Sequence, residues 1–158
     1  NNRVVPALLT GVAPHLLQPP INVLRLSLHP EGLAARIMNF PEWRAHLLAR
    51  LSRQVEFTAD PRLSDLLQEL CGYGVYRDPR DAAQPVPDHN QALVAVPLRL
   101  HTEHGPLSLL STTMVFGTPV DVTLSELAIE AFFPADAATS DRLQRIAPHE
   151  AGHASDGQ

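Results

Sequence analysis

The sequence contains no lysine, so all 12 of its basic residues are arginine. This absence excludes P-loop and Schiff-base chemistry, because both use a primary amine. The chain of 158 residues carries a formal net charge of -5, and its arginines are spread from Arg3 to Arg145. A domain that reads duplex DNA is normally basic, with its cations gathered on one face. We therefore do not expect this chain to bind nucleic acid itself.

Cysteine and long apolar runs are also scarce. Cys71 is the single cysteine, which excludes an internal disulfide and a CxxC zinc site and favours the reducing cytoplasm. No stretch approaches the roughly 18 consecutive apolar residues of a membrane-spanning helix. Apolar residues nevertheless make up 44% of the chain, enough for one core. The sequence predicts one soluble domain over residues 1–147 and a disordered polar tail over 148–158.

Caps and apolar stripes predict two helices. The first runs over about 41–57, with Asn39 near the capping position and Trp43, Leu47, Leu51 and Val55 recurring every four residues. The second is capped by Asp60 and ends at Gly72, with leucines along one face. Residues 21–28 fit a strand or a helix equally well, and a short helix is expected near 140–146.

Residues 72–91 are polar and predict either a lid or a disordered loop. After this stretch, the apolar residues recur with a period of two. Three such runs, over 94–100, 107–116 and 127–133, predict an antiparallel meander, with Pro97 marking an edge strand or a bulge. The third run also fits a helix that opens with a capping box, but its aromatic, β-branched ending favours a strand. Helices followed by a meander predict an α+β fold.

One short motif suggests catalysis, the HEAGH segment formed by His149, Glu150 and His153 with their neighbours. In a zinc hydrolase such histidines bind the metal from one face of a helix, and the glutamate activates water. Here Gly152 interrupts the helix turn, and only five residues follow the motif to supply a third ligand. A solvated tail is the preferred interpretation. We predict no enzymatic activity, no cofactor and no metal.

The remaining candidates are apolar residues on the first helix and the second strand. Met and aromatic side chains suit an adaptable ligand pocket. A guanidinium can bind a carboxylate through two hydrogen bonds, so Arg99 and Arg25 are candidate anchors for an anion. The alternative is that the apolar residues simply fill the core. The predicted pocket wall is Trp43, Leu47, Met114 and Phe116, with Arg99 and His46 as polar contacts.

Four segments together resemble the MmyB-like transcription regulator ligand-binding domain. They are NVLRLSLHPEG (22–32), WRAHLLARLSRQV (43–55), DPRLSDLLQEL (60–70) and the stretch over 94–136. The resemblance implies a PAS-like domain, with helices packed on an antiparallel sheet, and a helical turn at 22–28. It also implies the sensor of a bacterial XRE-type helix-turn-helix regulator, a homodimer that binds a small apolar or fatty-acid-like molecule. DNA would then be bound only by an upstream domain.

Two departures from that family are expected to matter. The family's N-terminal β-hairpin lies upstream of the part matching Asn2–Leu17, so the sheet edge needs another cover. Residues 72–90 form a Gly/Pro/Asp-rich stretch where relatives are aromatic, so no ligand contact is carried over there. The alternatives to a sensor are a zinc hydrolase using the HEAGH segment and a structural dimerisation module without a ligand.

Overall fold

Helices occupy the first half of the chain, and a three-stranded antiparallel sheet followed by a final helix forms the second. The structure, a computed structural model, describes residues 4–74, 96–116 and 127–146. The predicted α+β class is confirmed, while its assignment as PAS-like stays a prediction. The elements are α1 (Val4–Leu8), a 3-10 helix (Pro14–Leu17), α2 (Val23–Leu28), a 3-10 helix (Ala34–Arg36), α3 (Phe40–Thr58), α4 (Pro61–Gly72), β1 (Leu98–Thr102), β2 (Gly105–Phe116), β3 (Leu127–Pro134) and α5 (Ala137–Ile146).

Side-chain caps explain where two of the helices begin. The Asn22 Oδ1 atom accepts hydrogen bonds from the backbone N–H groups of Leu24 and Arg25, both at 3.0 Å. These bonds satisfy backbone donors of the first turn that have no partner within the helix. They explain why the segment over 21–28, which fitted a strand or a helix, forms α2. Asp60 likewise accepts from the N–H of Arg62 at 2.9 Å and opens α4 as predicted. The helical turn implied by the resemblance is therefore confirmed.

The sheet has the order β1-β2-β3, with both pairs antiparallel. Burial along β1 alternates, with Leu98 and Leu100 inside and Arg99 outside, as a strand covered on one face requires. The two buried leucines pair with Leu109 and Leu107 of β2. The third run is a strand, so the helical alternative for it is wrong.

The outer edge of β1 is covered by the segment that precedes α3. The backbone N–H of Met38 donates to the carbonyl of Arg99 at 2.7 Å. The Asn39 side chain accepts from the N–H of Arg99 at 3.1 Å and donates to the carbonyl of Pro97 at 2.9 Å. An unpaired strand edge is open to pairing with other chains, so these bonds supply the cover that the sequence required.

One hydrophobic cluster joins the helices to the sheet. Both helical and strand residues contribute buried side chains to it, so α3 and the sheet share a single core. Its largest members are the aromatic side chains of Trp43 and Phe40, each 2% exposed. The other buried apolar residues are Val12, Leu26, Leu28, Leu33, Ala34, Ile37, Leu47, Leu51, Leu66, Leu70, Leu98, Leu100, Leu107 and Leu109.

Helix α5 is fixed to β2 by one buried hydroxyl. Thr139 is 1% exposed, and its Oγ1 atom accepts from the backbone N–H of Ser108 at 3.0 Å. Asp136 accepts from the N–H of Thr139 at 2.6 Å, which caps the helix. This hydrogen bond to the backbone holds the pKa of the Asp136 carboxyl below its usual value. The predicted short helix is thus present and begins three residues earlier than the sequence suggested.

The predictions for the polar stretch over 72–91 and for the tail over 148–158 fall largely outside the residues that the structure describes. The polar stretch over 72–91 lies outside the described residues from residue 75 onward, and so does the tail over 148–158 with its HEAGH segment. The division into a domain over 1–147 and a tail therefore stays a prediction. No helix of the described residues is long and apolar enough to cross a bilayer.

Candidate functional site

Three of the six predicted ligand-binding residues lie together on α3. Trp43 and Leu47 are one helical turn apart and are 2% and 3% exposed. The His46 ring stacks on the Trp43 indole with 5.8 Å between centroids and 26° between planes. Within residues 4–74, 96–116 and 127–146, the buried indole Nε1 atom of Trp43 has no hydrogen-bond partner. A buried donor in this state is costly, and it is available to an acceptor on a bound molecule.

The electrostatic environment of His46 favours the neutral imidazole. Partial burial is the main cause that lowers the pKa of His46, because desolvation disfavours the charged ring. The nearby cations Arg50 and Arg53 lower it further, against a smaller opposing effect of Glu42. His46 is therefore uncharged at neutral pH and offers one donor and one acceptor beside the unpartnered indole N–H.

The other three predicted residues are on the sheet. Arg99 lies on the exposed face of β1, opposite Leu98 and Leu100, and its guanidinium has no hydrogen-bond partner among the described residues. Met114 and Phe116 lie on β2, and their side chains are outside the described part of the structure. The structure thus brings Trp43, His46 and Leu47 together and places Arg99 on a different face.

A polar cleft opens near the N-terminal end of α2, away from the Trp43 group. It has a volume of about 290 Å³. None of the six predicted residues lines it. The sequence did not predict this cleft, because its residues come from separate segments and follow no local period. Arg25 alone among them was a candidate, as an anchor for an anion. The lining includes His15, Asn22, Arg25, His29, Glu69 and Tyr73.

An ion pair forms one wall of the polar cleft. Both oxygens of Glu69 accept from the Arg25 guanidinium, at 2.8 and 2.7 Å, and the Tyr73 hydroxyl also donates to Glu69. The hydrogen bonds from Arg25, and then from Tyr73, lower the pKa of Glu69. Burial, followed by the bond to Glu69, raises the pKa of Tyr73 to about 12. Arg25 is therefore occupied within the chain, which removes it as a free anchor for an anion.

We expect the substitution Glu69→Gln to lower stability in a pH-dependent manner. A carboxyl whose pKa is lower in the folded chain stabilises it above the unfolded pKa, and this contribution is lost as the pH falls through the folded value. The variant should lose about 1 kcal/mol at neutral pH, since the pair is partly exposed. The difference should shrink below pH 4.5, the ordinary pKa of Glu69. Urea unfolding at several pH values measures it.

The exposed Glu56 provides the matched control for this prediction. Among the residues that the structure describes, its one hydrogen-bond donor is the Ser52 hydroxyl, at 3.3 Å. Glu56→Gln should change stability by less than about 0.5 kcal/mol at every pH. If the Glu69→Gln variant keeps the same deficit down to about pH 2, the loss comes from packing rather than from the charge of Glu69.

A second cleft, of about 260 Å³, is organised by Arg36. The Arg36 guanidinium donates to the carbonyls of Leu8 and Thr10, each at 2.9 Å, and to that of His101 at 3.2 Å. These bonds attach the N-terminal segment to β1. Because three carbonyls already occupy the guanidinium, its role here is to hold two segments together.

Comparison with known protein families identifies the family of this chain. The model of the family described as the MmyB-like transcription regulator ligand binding domain matches residues 1–146. No curated protein and no solved structure matches the chain. The family match covers both the helical half and the whole described sheet with α5. The chain therefore belongs to the MmyB-like ligand-binding domains of transcription regulators.

Proposed function

We propose that this domain is the sensor of a bacterial XRE-type helix-turn-helix regulator and binds a small apolar or fatty-acid-like molecule in the cytoplasm. The observation that carries the proposal is the family match over residues 1–146, because the family consists of ligand-binding domains. DNA contact then falls to an upstream domain, which agrees with the acidic charge of this chain. The role is binding and signalling rather than catalysis.

The proposed binding site is centred on Trp43, His46 and Leu47. The buried faces of Trp43 and Leu47 supply an apolar wall. The unpartnered indole N–H and the neutral His46 ring supply polar groups at the edge of that wall. This combination suits an amphipathic molecule with an acceptor group at one end and a hydrocarbon chain. Met114 and Phe116 of β2 are proposed as further members of this site, and Arg99 of β1 as a further polar contact.

Binding must be coupled to a conformational change, because the core around Trp43 is closed. A ligand that enters there binds better to a conformation in which α3 and its neighbours have separated. Differential affinity for two conformations shifts their populations, and this shift is the signal to the DNA-binding part of a homodimer. The closed core also supports the second candidate function, a structural dimerisation module that holds no ligand.

One fluorescence experiment distinguishes these two functions. Trp43 is the single tryptophan, so its emission reports on the proposed site directly. A long-chain saturated fatty acid should change this emission saturably, and native mass spectrometry should show one bound molecule per chain. The methyl ester of the same acid is the control for the polar end. His46→Ala should weaken binding of the acid about tenfold, the equivalent of one hydrogen bond to a charged group. It should weaken binding of the ester less, because the ester carbonyl is an uncharged acceptor.

The opposite results would support the structural module. In that case neither the acid nor the ester would change the tryptophan emission, and native mass spectrometry would show a dimer without a bound molecule. If the His46→Ala variant binds both compounds as strongly as the parent does, the sensor function stands, but His46 is not part of the binding site.

A further inference from the structure

Three side chains beside the polar cleft bring potential metal-ligating atoms close together. The ligand atoms of His15, His29 and Glu31 all lie within 4.8 Å of one another. His15 belongs to the 3-10 helix at Pro14–Leu17, while His29 and Glu31 follow α2. The backbone N–H of Ala13 donates to the carbonyl of Glu31 at 3.0 Å and ties the two segments together. The proximity of the three side chains is therefore set by the backbone as well as by their rotamers.

The chemistry of this set favours a transition metal over Mg²⁺ or Ca²⁺. Imidazole nitrogens with one carboxylate are ligands for Zn²⁺, whereas Mg²⁺ and Ca²⁺ prefer oxygen throughout. Ligand atoms about 2.1 Å from a tetrahedral ion lie about 3.4 Å apart. His15 and Glu31 are exposed, so small rotations of their side chains can close the set from its present spacing.

His29 is oriented before any ion binds. Its Nδ1 atom accepts from the backbone N–H of Glu31 at 3.1 Å, and its ring packs edge-on against Tyr73 at 5.0 Å and His15 at 5.5 Å between centroids. An acceptor at Nδ1 leaves the proton of the neutral ring on Nε2. Coordination through Nδ1 replaces the hydrogen bond from the N–H of Glu31. Coordination through Nε2 moves the ring proton to Nδ1, which then no longer accepts from that N–H.

We propose that His15, His29 and Glu31 bind one divalent transition-metal ion of the Zn²⁺ class at the rim of the polar cleft. Three protein ligands leave a fourth position of the tetrahedron open. His15 and His29 both line the polar cleft, so this position is accessible to water or to a small anionic molecule. Glu69 adds a carboxylate to the same cleft, but its oxygens are occupied by Arg25 and Tyr73. The site is separate from the proposed ligand site at Trp43.

The test is a titration of the 158-residue chain with Zn²⁺ alone, in competition with a chromophoric chelator. Because the tail also contains His149 and His153, the matched control is the double variant His149→Ala and His153→Ala, which should bind Zn²⁺ at this site as the parent does. In that background, His15→Ala and Glu31→Gln should each weaken binding about tenfold or more, since even loss of a group that only supports a ligand costs this much.

Thermal unfolding without metal shows whether the variants remain folded. His15 is exposed, so His15→Ala should unfold at the parental temperature in the absence of metal. Zn²⁺ should raise the unfolding temperature of the parent and of the double tail variant, and should raise that of His15→Ala less. His101→Ala with His104→Ala is a further control for surface histidines. The proposal is overturned if His15→Ala and Glu31→Gln bind Zn²⁺ like the parent, if binding disappears with the tail histidines, or if the parent binds no Zn²⁺.

Discussion

Replacing Gly32 by alanine is expected to lower the free energy of unfolding by about 3 kcal/mol, the upper part of the range for forced overpacking. A Cβ atom at this position would overlap the backbone carbonyl oxygen of Leu26 and lie 3.2 Å from the carbonyl oxygen of His29. The Leu26 carbonyl cannot move freely, because it accepts a hydrogen bond from the N–H of Leu33 at 2.9 Å. Leu26 and Leu33 are both buried in the core, so a shift of the backbone here disturbs packing as well.

Thermal and urea unfolding measure the effect of the Gly32 substitution. A loss of about 3 kcal/mol corresponds to a fall in melting temperature of about 10 °C for a chain of this size. Gly72→Ala is the matched control, because a Cβ atom there meets nothing within 4 Å at the end of α4. Alanine is the better helix former, so this control should be neutral or stabilising by up to about 1 kcal/mol. Equal melting temperatures for the two variants would show that the turn after α2 adapts.

Local sequence signals were sufficient for most of the secondary structure. Helix α4 follows from the capping side chain of Asp60 and an apolar stripe within 12 residues. Strand β1 follows from alternation over five residues. A cap and an apolar stripe each involve residues that are close together in the sequence. Such local structure can therefore be predicted from the spacing of residue types.

Contacts between distant segments were not predictable in the same way. Asn39 was placed correctly at the start of α3, but its side chain does not cap the backbone of that helix. It bonds to the backbone of Arg99 and Pro97 and to the Glu42 carboxylate. Arg25 was a plausible free cation until the fold brought Glu69 against it, 44 residues along the chain. Periodicity does not register such pairs, because they depend on how the elements pack rather than on spacing in the sequence.

The sequence also left the roles of Trp43 and Leu47 undecided for a physical reason. A core and a pocket wall require the same apolar face at the same helical spacing. The structure shows both residues buried, which agrees with a core. It also shows an indole N–H without a partner, a feature that hydrophobic spacing does not reveal. Stability and ligand binding must therefore be measured on the same variants.

Trp43→Ala is expected to lower the free energy of unfolding by about 4 kcal/mol, since it removes the largest buried side chain of the core. Trp43→Phe should cost much less, about 1 to 2 kcal/mol. Phenylalanine keeps most of the apolar contact area. It also removes the buried N–H that has no partner, which offsets part of the loss from the smaller ring. Urea unfolding followed by far-UV circular dichroism measures both variants without relying on tryptophan emission.

Phe57→Ala is the control for the loss of an aromatic residue from α3. Phe57 is 91% exposed on the same helix, so its removal should change stability by less than about 0.5 kcal/mol. The Trp43→Phe variant then separates the two roles of Trp43, because it stays folded while lacking the indole donor. If that N–H contacts a ligand, native mass spectrometry should show weaker retention of a fatty acid in Trp43→Phe than in Phe57→Ala. Equal retention in the two variants would assign Trp43 to the core alone, since its loss would then affect folding and not binding.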